Sequence, residues 1–270
     1  MCLVAVAAVA EEKADIMVSY RYQYPTVQDS VNGKSVNMTF LCNSSKAKYF
    51  NTMSEYCDSL TSTPDGKKRL REIQMAAWVS MTPEGITVDK SKGNAPEKKV
   101  NTYIFTDADK NEITVFDKFG DELRTYSEPF NEQQWEISGD STTTVLGYDC
   151  IMATGHYHGR DWHVWFAPEL PVSFGPWKLH GLPGLILRAE ADGGFAFEAT
   201  GIEKSDRPML PVYSRDDYAD TERRKALADE EYAQKNALKL LQAKYGITIT
   251  SLSAEERKYD KRYAIECDYE

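Results

Sequence analysis

The chain repeatedly places apolar residues at every second position and then interrupts the pattern with a turn. Ile16, Val18, Tyr20, Tyr22 and Tyr24 alternate with polar residues, and the same period runs on both sides of Asp192-Gly193-Gly194. A period of two sends successive side chains to opposite faces of a strand, so such segments belong in sheets with one buried face. Short connections make consecutive strands antiparallel. Val36 to Cys42 follows the Asn32-Gly33 turn signal and completes an opening hairpin with the first strand. Further strands are expected at 101–106, 112–118, 122–127 and 134–137, separated by Asp, Lys and Gly turns, which describes a meander.

Helical signals occupy two other regions. Ser44-Ser45 can cap a helix running through Phe50, Met53 and Cys57, and 65–79 is a second helix. Residues 82–101 are polar and aperiodic, as in an exposed loop. Asp216-Asp217 is expected to cap one long C-terminal helix that ends at Gly246, and Ile247 to Ser251 to add an edge strand. The expected class is therefore α+β: a curved, mainly antiparallel sheet, at its most closed a half-open barrel, covered by helices that include a long C-terminal one.

Two hairpins can be read to the register. Around the Asp192-Gly193-Gly194 loop, Ala191 faces Phe195, Ala189 faces Phe197, and Arg188 faces Glu198, so both faces are chemically consistent. In the hairpin 148–168, Gly159-Arg160 suits the centre of a type II′ turn. Tyr157 then opposes Trp162, Gly155 opposes Val164 and Ala153 opposes Phe166 on an apolar face. The other face sets His156 against His163 and His158 against Asp161. Directly opposed Cβ atoms lie about 4.5–5.5 Å apart, so His156, His158, His163 and Asp161 form a candidate site for a transition metal, zinc or copper above all. The plainer account is the wet face of an antiparallel sheet, which needs no ion.

Downstream, Gly181-Leu182-Pro183-Gly184-Leu185-Ile186 places Pro and Gly at the two central positions of a type II turn, so Leu182 to Leu185 should reverse the chain into a core strand. The hexapeptide contains no nucleophile, acid or base, and its expected role is structural.

Composition narrows the function classes. The formal net charge is −10, with 32 Lys and Arg against 42 Asp and Glu and no basic run, which argues against nucleic acid and anionic membrane surfaces as partners. Residues 1–10, MCLVAVAAVA, end in a small-x-small site and resemble the end of a secretory signal, leaving 11–270 as one domain in the periplasm or secreted. No later run has the roughly 18 apolar residues of a transmembrane span. Cys42, Cys57, Cys150 and Cys267 then permit two disulfides, with Cys42 and Cys57 the favoured pair across a short strand-to-helix connection. No zinc-knuckle spacing, serine-hydrolase elbow, phosphate loop or dinucleotide fingerprint occurs. Cys150 and His156 lie about 20 Å apart along one strand, too far for a catalytic pair.

The ordered set Gly147-Tyr148-Asp149-Cys150, Gly159-Arg160, Trp165, Pro168-Glu169-Leu170-Pro171, Gly175-Pro176 and the hexapeptide 181–186 resembles the GLPGLI family of exported bacterial proteins. The resemblance implies export, a largely β architecture, work in the cell envelope beside outer-membrane transport components, and no assigned reaction. His158 stands where Arg is common in that family. The function expected from these readings is a non-catalytic envelope protein that binds an apolar or peptide ligand in a concave sheet. A metal-binding protein and a hydrolase are the alternatives.

Overall fold

The computed structural model describes residues 12–26, 33–83, 85–90, 95–131, 133–246 and 263–269. The expected signal remnant at 1–10, the Asn32 turn residue and the edge strand at 247–251 lie outside these residues. In chain order the elements are β1 (Ile16–Tyr24), β2 (Lys34–Cys42), β3 (Lys46–Phe50), α1 (Thr52–Thr61), α2 (Pro64–Trp78), β4 (Val79–Thr82), β5 (Gly85–Val88), β6 (Tyr103–Asp107), β7 (Glu112–Phe119), β8 (Glu122–Pro129), β9 (Glu136–Val145), β10 (Tyr148–Tyr157), β11 (Arg160–Ala167), β12 (Leu185–Ala191), β13 (Phe195–Lys204), β14 (Ala219–Asp220), α3 (Arg223–Lys235) and α4 (Ala237–Tyr245).

Twelve strands form one curved sheet in the order β14-β8-β7-β6-β3-β2-β1-β13-β12-β11-β10-β9, which is not closed into a barrel. Every pair in it is antiparallel except β14 on β8. β4 and β5 make a separate small hairpin whose second strand falls within the region 82–101 read as loop. Alternation sorts each strand: Ile113, Val115 and Phe119 of β7 join the main core on the concave side, while Phe116 joins a second cluster with Phe50, Tyr103 and Tyr218 on the other. On that second face lies Lys48, fully buried, with its ammonium over the Phe50 ring and bonded to Glu55 of α1 and, at 2.6 Å, to the Leu210 carbonyl.

Three expectations are corrected. The helix expected from Ser44 begins only at Thr52, capped by the Asn51 side chain, because Lys46–Phe50 pairs with both β2 and β6 as a strand. That strand runs back along β2 for about 17 Å at normal rise, carrying Cys57 away from Cys42; both are free thiols, as is Cys150. Burial pushes the Cys42 thiol up to about 12. The single long C-terminal helix is not formed either. Asp216 and Asp217 lie in a short 3-10 turn, β14 follows, and the helix starts at Arg223. It breaks at Asn236, which has φ −110° and ψ 16° and donates from its side chain to the Tyr232 carbonyl. Asparagine favours such local bonding over helix continuation. None of the helices among the described residues is long and apolar enough to cross a membrane.

The hairpin around 192–194 has the expected register, with Ala191 opposite Phe195, Ala189 opposite Phe197 and Arg188 opposite Glu198. In the β10–β11 hairpin the partners slip by two residues: Tyr157 opposes Arg160 rather than Trp162, and Gly155 opposes Trp162. His158 and Gly159 form the turn, both with positive φ (52° and 78°), as type I′ demands. A slip of two keeps every side chain on its face, so the apolar row survives. What favours the shifted turn is Arg160, now at the head of β11, buried over the Phe195 ring and bonded at 2.6 Å to the Ala264 carbonyl.

The hexapeptide turn also differs from its expected type. Gly184 does not have positive φ; Gly181 does, at 90°. The Gly184 amide bonds back to the Leu182 carbonyl at 2.8 Å, a three-residue turn centred on Pro183. Gly184 is required by proximity: a Cβ there would lie 2.3 Å from the Ala167 carbonyl oxygen. Gly175 is held the same way against Ile186. Leu182, Leu185 and Ile186 are buried, the Tyr20 hydroxyl donates to the Ile186 carbonyl, and the Leu185 amide donates to Leu170. Of the other motif residues, Tyr148 and Cys150 open β10, and Trp165 stacks under the Arg188 guanidinium on the outer face.

Candidate functional site: a cavity on the concave face

The concave side of the sheet encloses a cavity of about 560 Å³. Its floor comes from residues of seven strands, among them Tyr22, Met38, Tyr49, Ile104, Val115, Tyr126 and Phe197. Strand curvature makes the hollow, and α3 covers it with Leu227, Glu230 and Gln234. α3 is seated by Ala226, fully buried in the core, and by Gly120, which approaches the Ala233 side chain and donates its amide to Glu230. Trp177 and Lys178 from the loop before the hexapeptide close one end, joined by Ile265 and Glu266 of the C-terminal segment. Phe197 stacks on Tyr22 at 4.6 Å and on Trp162 at 6.2 Å, giving a continuous aromatic wall.

At the Lys178 end the charges are concentrated and paired. The Lys178 ammonium, 2% exposed, lies 2.6 Å from carboxylate oxygens of both Glu128 and Glu266 and donates to the Tyr126 hydroxyl at 3.0 Å. Arg223, the first residue of α3, binds Glu266 at 2.7 Å and also Asp268. His158 stands between Glu128 (3.3 Å) and Asp268 (3.2 Å). Burial opposes ionisation of Glu128, Glu266, Asp268, His158 and Arg223, yet mutual attraction prevails. Hydrogen bonds from His158 and Lys178 bring Glu128 down to about 2, the charges of Lys178, His158 and Arg223 lower Glu266, and hydrogen bonds to Asp268 and Glu128 raise His158. With His158 protonated, three cations face three carboxylates.

A different carboxylate sits further along the wall. Asp117 occupies the inward row Ile113-Val115-Asp117-Phe119 of β7, where its neighbours on both sides are core residues. It accepts from the Thr102 hydroxyl at 2.5 Å and from the Lys118 amide, and no ion pair holds it among the described residues. Burial lifts its carboxyl to about 6, against the pull of these two bonds.

The four residues expected to share a metal do not converge. His156 pairs with Asp161 across the hairpin (Nδ1 to Oδ1, 2.7 Å), and with His163 they line an open cleft of about 600 Å³ on the outer face, beside Glu136. His163 is opposite Thr154 and Glu190 rather than His156. His158, being in the turn, is turned into the buried cluster instead. Its oxygen-rich neighbours Glu128 and Glu266 could themselves surround a cation, but the Lys178 ammonium already occupies that position.

Sequence reasoning missed Lys178, Glu128, Glu266, Arg223 and Asp268 altogether. Their positions, 88 residues apart for Lys178 and Glu266, leave no spacing to detect. Asp117 did carry a signal, as the one ionisable residue in an otherwise apolar inward row.

Residues 89–221 match the family model described as N-glycanase peptide, N-terminal domain. Asp117, Glu128, His158, Trp177, Lys178 and Phe197 fall inside that range, whereas Tyr22, Arg223 and Glu266 lie outside it. No curated protein matches the chain. Two solved structures of PNGF-II, in C2 and P21 space groups, are similar at 15% identity, with TM-scores of 0.49 and 0.47; they cover 80% and 81% of this chain and 32% and 33% of theirs. The chain thus spans about a third of the length of the solved proteins it resembles.

Proposed function

We propose that the protein is an exported cell-envelope binding protein whose ligand, apolar or peptidic, occupies the cavity under α3. The observation that carries this reading is the cavity itself: about 560 Å³, aromatic along one wall, with polar groups at separate points. That is the composition of sites which bind by burying an apolar body and orienting it with a few polar contacts. The ordered residues from Gly147 to Ile186 support affiliation with the GLPGLI family, and through it export to the periplasm or beyond. The apolar run at 1–10 supports the same address. The charged cluster supports binding over reaction, because its Lys, Arg and His each engage carboxylates of the same cluster. Glycanase in the name of the matching family keeps hydrolysis as an alternative, attached there to an N-terminal domain.

Native mass spectrometry of protein taken from its own envelope tests this. The expected result is a co-purifying organic mass that is lost in the cavity-filling variant Val115→Phe; protein carrying no such mass in either form removes the reading. The outer cleft favours a second reading, zinc or copper held by His156, Asp161 and His163. Titration calorimetry decides it: heat unchanged by a His156→Ala, His163→Ala double substitution ends the metal idea.

A further inference from the structure

We infer that the ligand of this cavity carries a protonated amine, which pairs with Asp117 while its apolar body lies along the Tyr22 and Phe197 wall. The inference rests on the cavity being the binding site and adds the chemical class of what it takes. Its starting point is how the charges around the cavity are matched. Lys178 is shared by Glu128 and Glu266, Lys118 is paired with Asp121 at 3.2 Å, and Lys98 is held by both oxygens of Asp58. Each of these cations has its own carboxylate. The carboxylates that remain on the cavity wall, Asp117 and Glu230, have neutral donors: Thr102 and the Lys118 amide for the first, the Gly120 amide and Gln234 for the second. Lys99, also at the cavity, is exposed.

Asp117 is half-buried within a row of core side chains, where Val or Ile would pack against Val115 and Phe119 without desolvating a charge. A carboxylate at such a place, open to the cavity and with no cation paired to it among the described residues, is complementary to a cation brought by the ligand. The groups that act on it electrostatically are Glu230 from α3 and Lys98 from the segment before β6. Tyr22, Tyr126 and Tyr218 are perturbed by it in turn and stay neutral at physiological pH, since burial raises all three. Lowering the pH through about 6 protonates Asp117 and removes the attraction, while an alkylamine keeps its charge. The aromatic wall gives the same cation a favourable approach along ring faces.

The test uses the full chain and a matched series of probes: octylamine, octanol and octanoate, titrated calorimetrically at pH 8 and pH 5. Octylamine should bind at least about tenfold more tightly than octanol at pH 8, with the preference falling several-fold at pH 5. Asp117→Asn should lose the amine preference and retain octanol binding. The pH arm needs no variant, so the test survives a folding defect in Asp117→Asn. Leucyl-phenylalanine amide with a free or acetylated N-terminus distinguishes a peptide amine from a free amphiphile, and tighter binding of the free-amine form again supports the inference. Equal affinity for octanol and octylamine, or preference for octanoate, overturns the amine inference and leaves the binding cavity standing. Absence of heat with all three overturns the cavity reading itself.

Discussion

Asp117 is a residue whose presence costs stability. Its carboxyl titrates near 6 in the folded chain and near 4 when unfolded, so the unfolded state gives up its proton first. Stability therefore falls as the pH rises from about 4 to 6, and the deficit persists above that. Asp117→Asn should stabilise the protein at pH 7 by on the order of 1–2 kcal/mol, and should make no difference at pH 3.5, as measured by urea unfolding at the two values. Lys178 is the opposite case. Replacing it with Met would leave Glu128 and Glu266 buried together without the ammonium between them, and a loss of about 3–5 kcal/mol is expected in the same assay. A Lys178→Met protein as stable as the parent would mean that Arg223 and His158 can neutralise both carboxylates alone. Neither residue could be ranked from sequence. Asp117 breaks the alternation of β7 whereas Lys178 lies in a turn with no period to break, and only their surroundings separate a paired charge from an open one.

Among the elements, the β10–β11 hairpin and the hexapeptide turn show how local rules were overruled. Gly159-Arg160 fits a II′ turn, yet burying Arg160 against Phe195 and seating His158 among carboxylates outweigh the roughly 1–2 kcal/mol that a positive φ costs a non-glycine residue. At 181–186 the Pro-Gly pair marks a turn, but the demand on Gly184 comes from the neighbouring Ala167 carbonyl rather than from its own dihedral. Gly184→Ala is expected to destabilise the fold by about 1–3 kcal/mol, because the atom in the way is backbone and cannot swing aside. Thermal unfolding monitored by circular dichroism would show it; an unchanged midpoint would place the Gly184 requirement elsewhere. The C-terminal helix fails as one element for a related reason. Its apolar face is legible, but the Asn236 side chain bonds to the Tyr232 carbonyl and interrupts the helix within that periodicity.

For the molecule as a whole, the cluster of Lys178, Glu128, Glu266, His158, Arg223 and Asp268 ties five separate regions together: β8, the β10–β11 turn, the loop before the hexapeptide, the start of α3 and the C-terminal segment. The backbone amide of Cys267 reinforces this by donating to the His158 carbonyl at 3.0 Å. Stability should consequently have two limbs. Glu128, Glu266 and Asp268 are held below their ordinary values, so their contribution is present above about 4.5 and is lost as the pH falls through the folded values. His158 is raised, so its contribution is full below about 6.5 and is lost as the pH rises through its folded value. A maximum between roughly pH 4.5 and 6.5 follows, modified by the counteracting slope from Asp117. His158→Gln should flatten the alkaline limb and also shrink the acid limb, because His158 helps hold Glu128, Glu266 and Asp268 down; a steep alkaline limb in that variant would assign the pH dependence to another group. The same cluster closes the Lys178 end of the cavity, so its titration also bears on how firmly Ile265 and Glu266 stay in place there.

Alternation and turn chemistry were enough to establish an antiparallel sheet, the strand Leu185–Ala191, the partners around Asp192-Gly193-Gly194 and the second helix to within a residue. These are properties of neighbours in the chain: a period of two defines a face, and a three-residue loop between two such faces admits one register. Strand Lys46–Phe50 escaped because Ser44-Ser45 promised a helix cap and the segment forms its strand by pairing with β6, more than fifty residues later. The destination of His158, the burial of Lys178 and the open carboxylate of Asp117 depend on groups brought together from across the sheet. Long-range packing alone sets which charges meet and which are left facing the cavity, because electrostatic pairing depends on distance in space, and the curvature of twelve strands sets those distances.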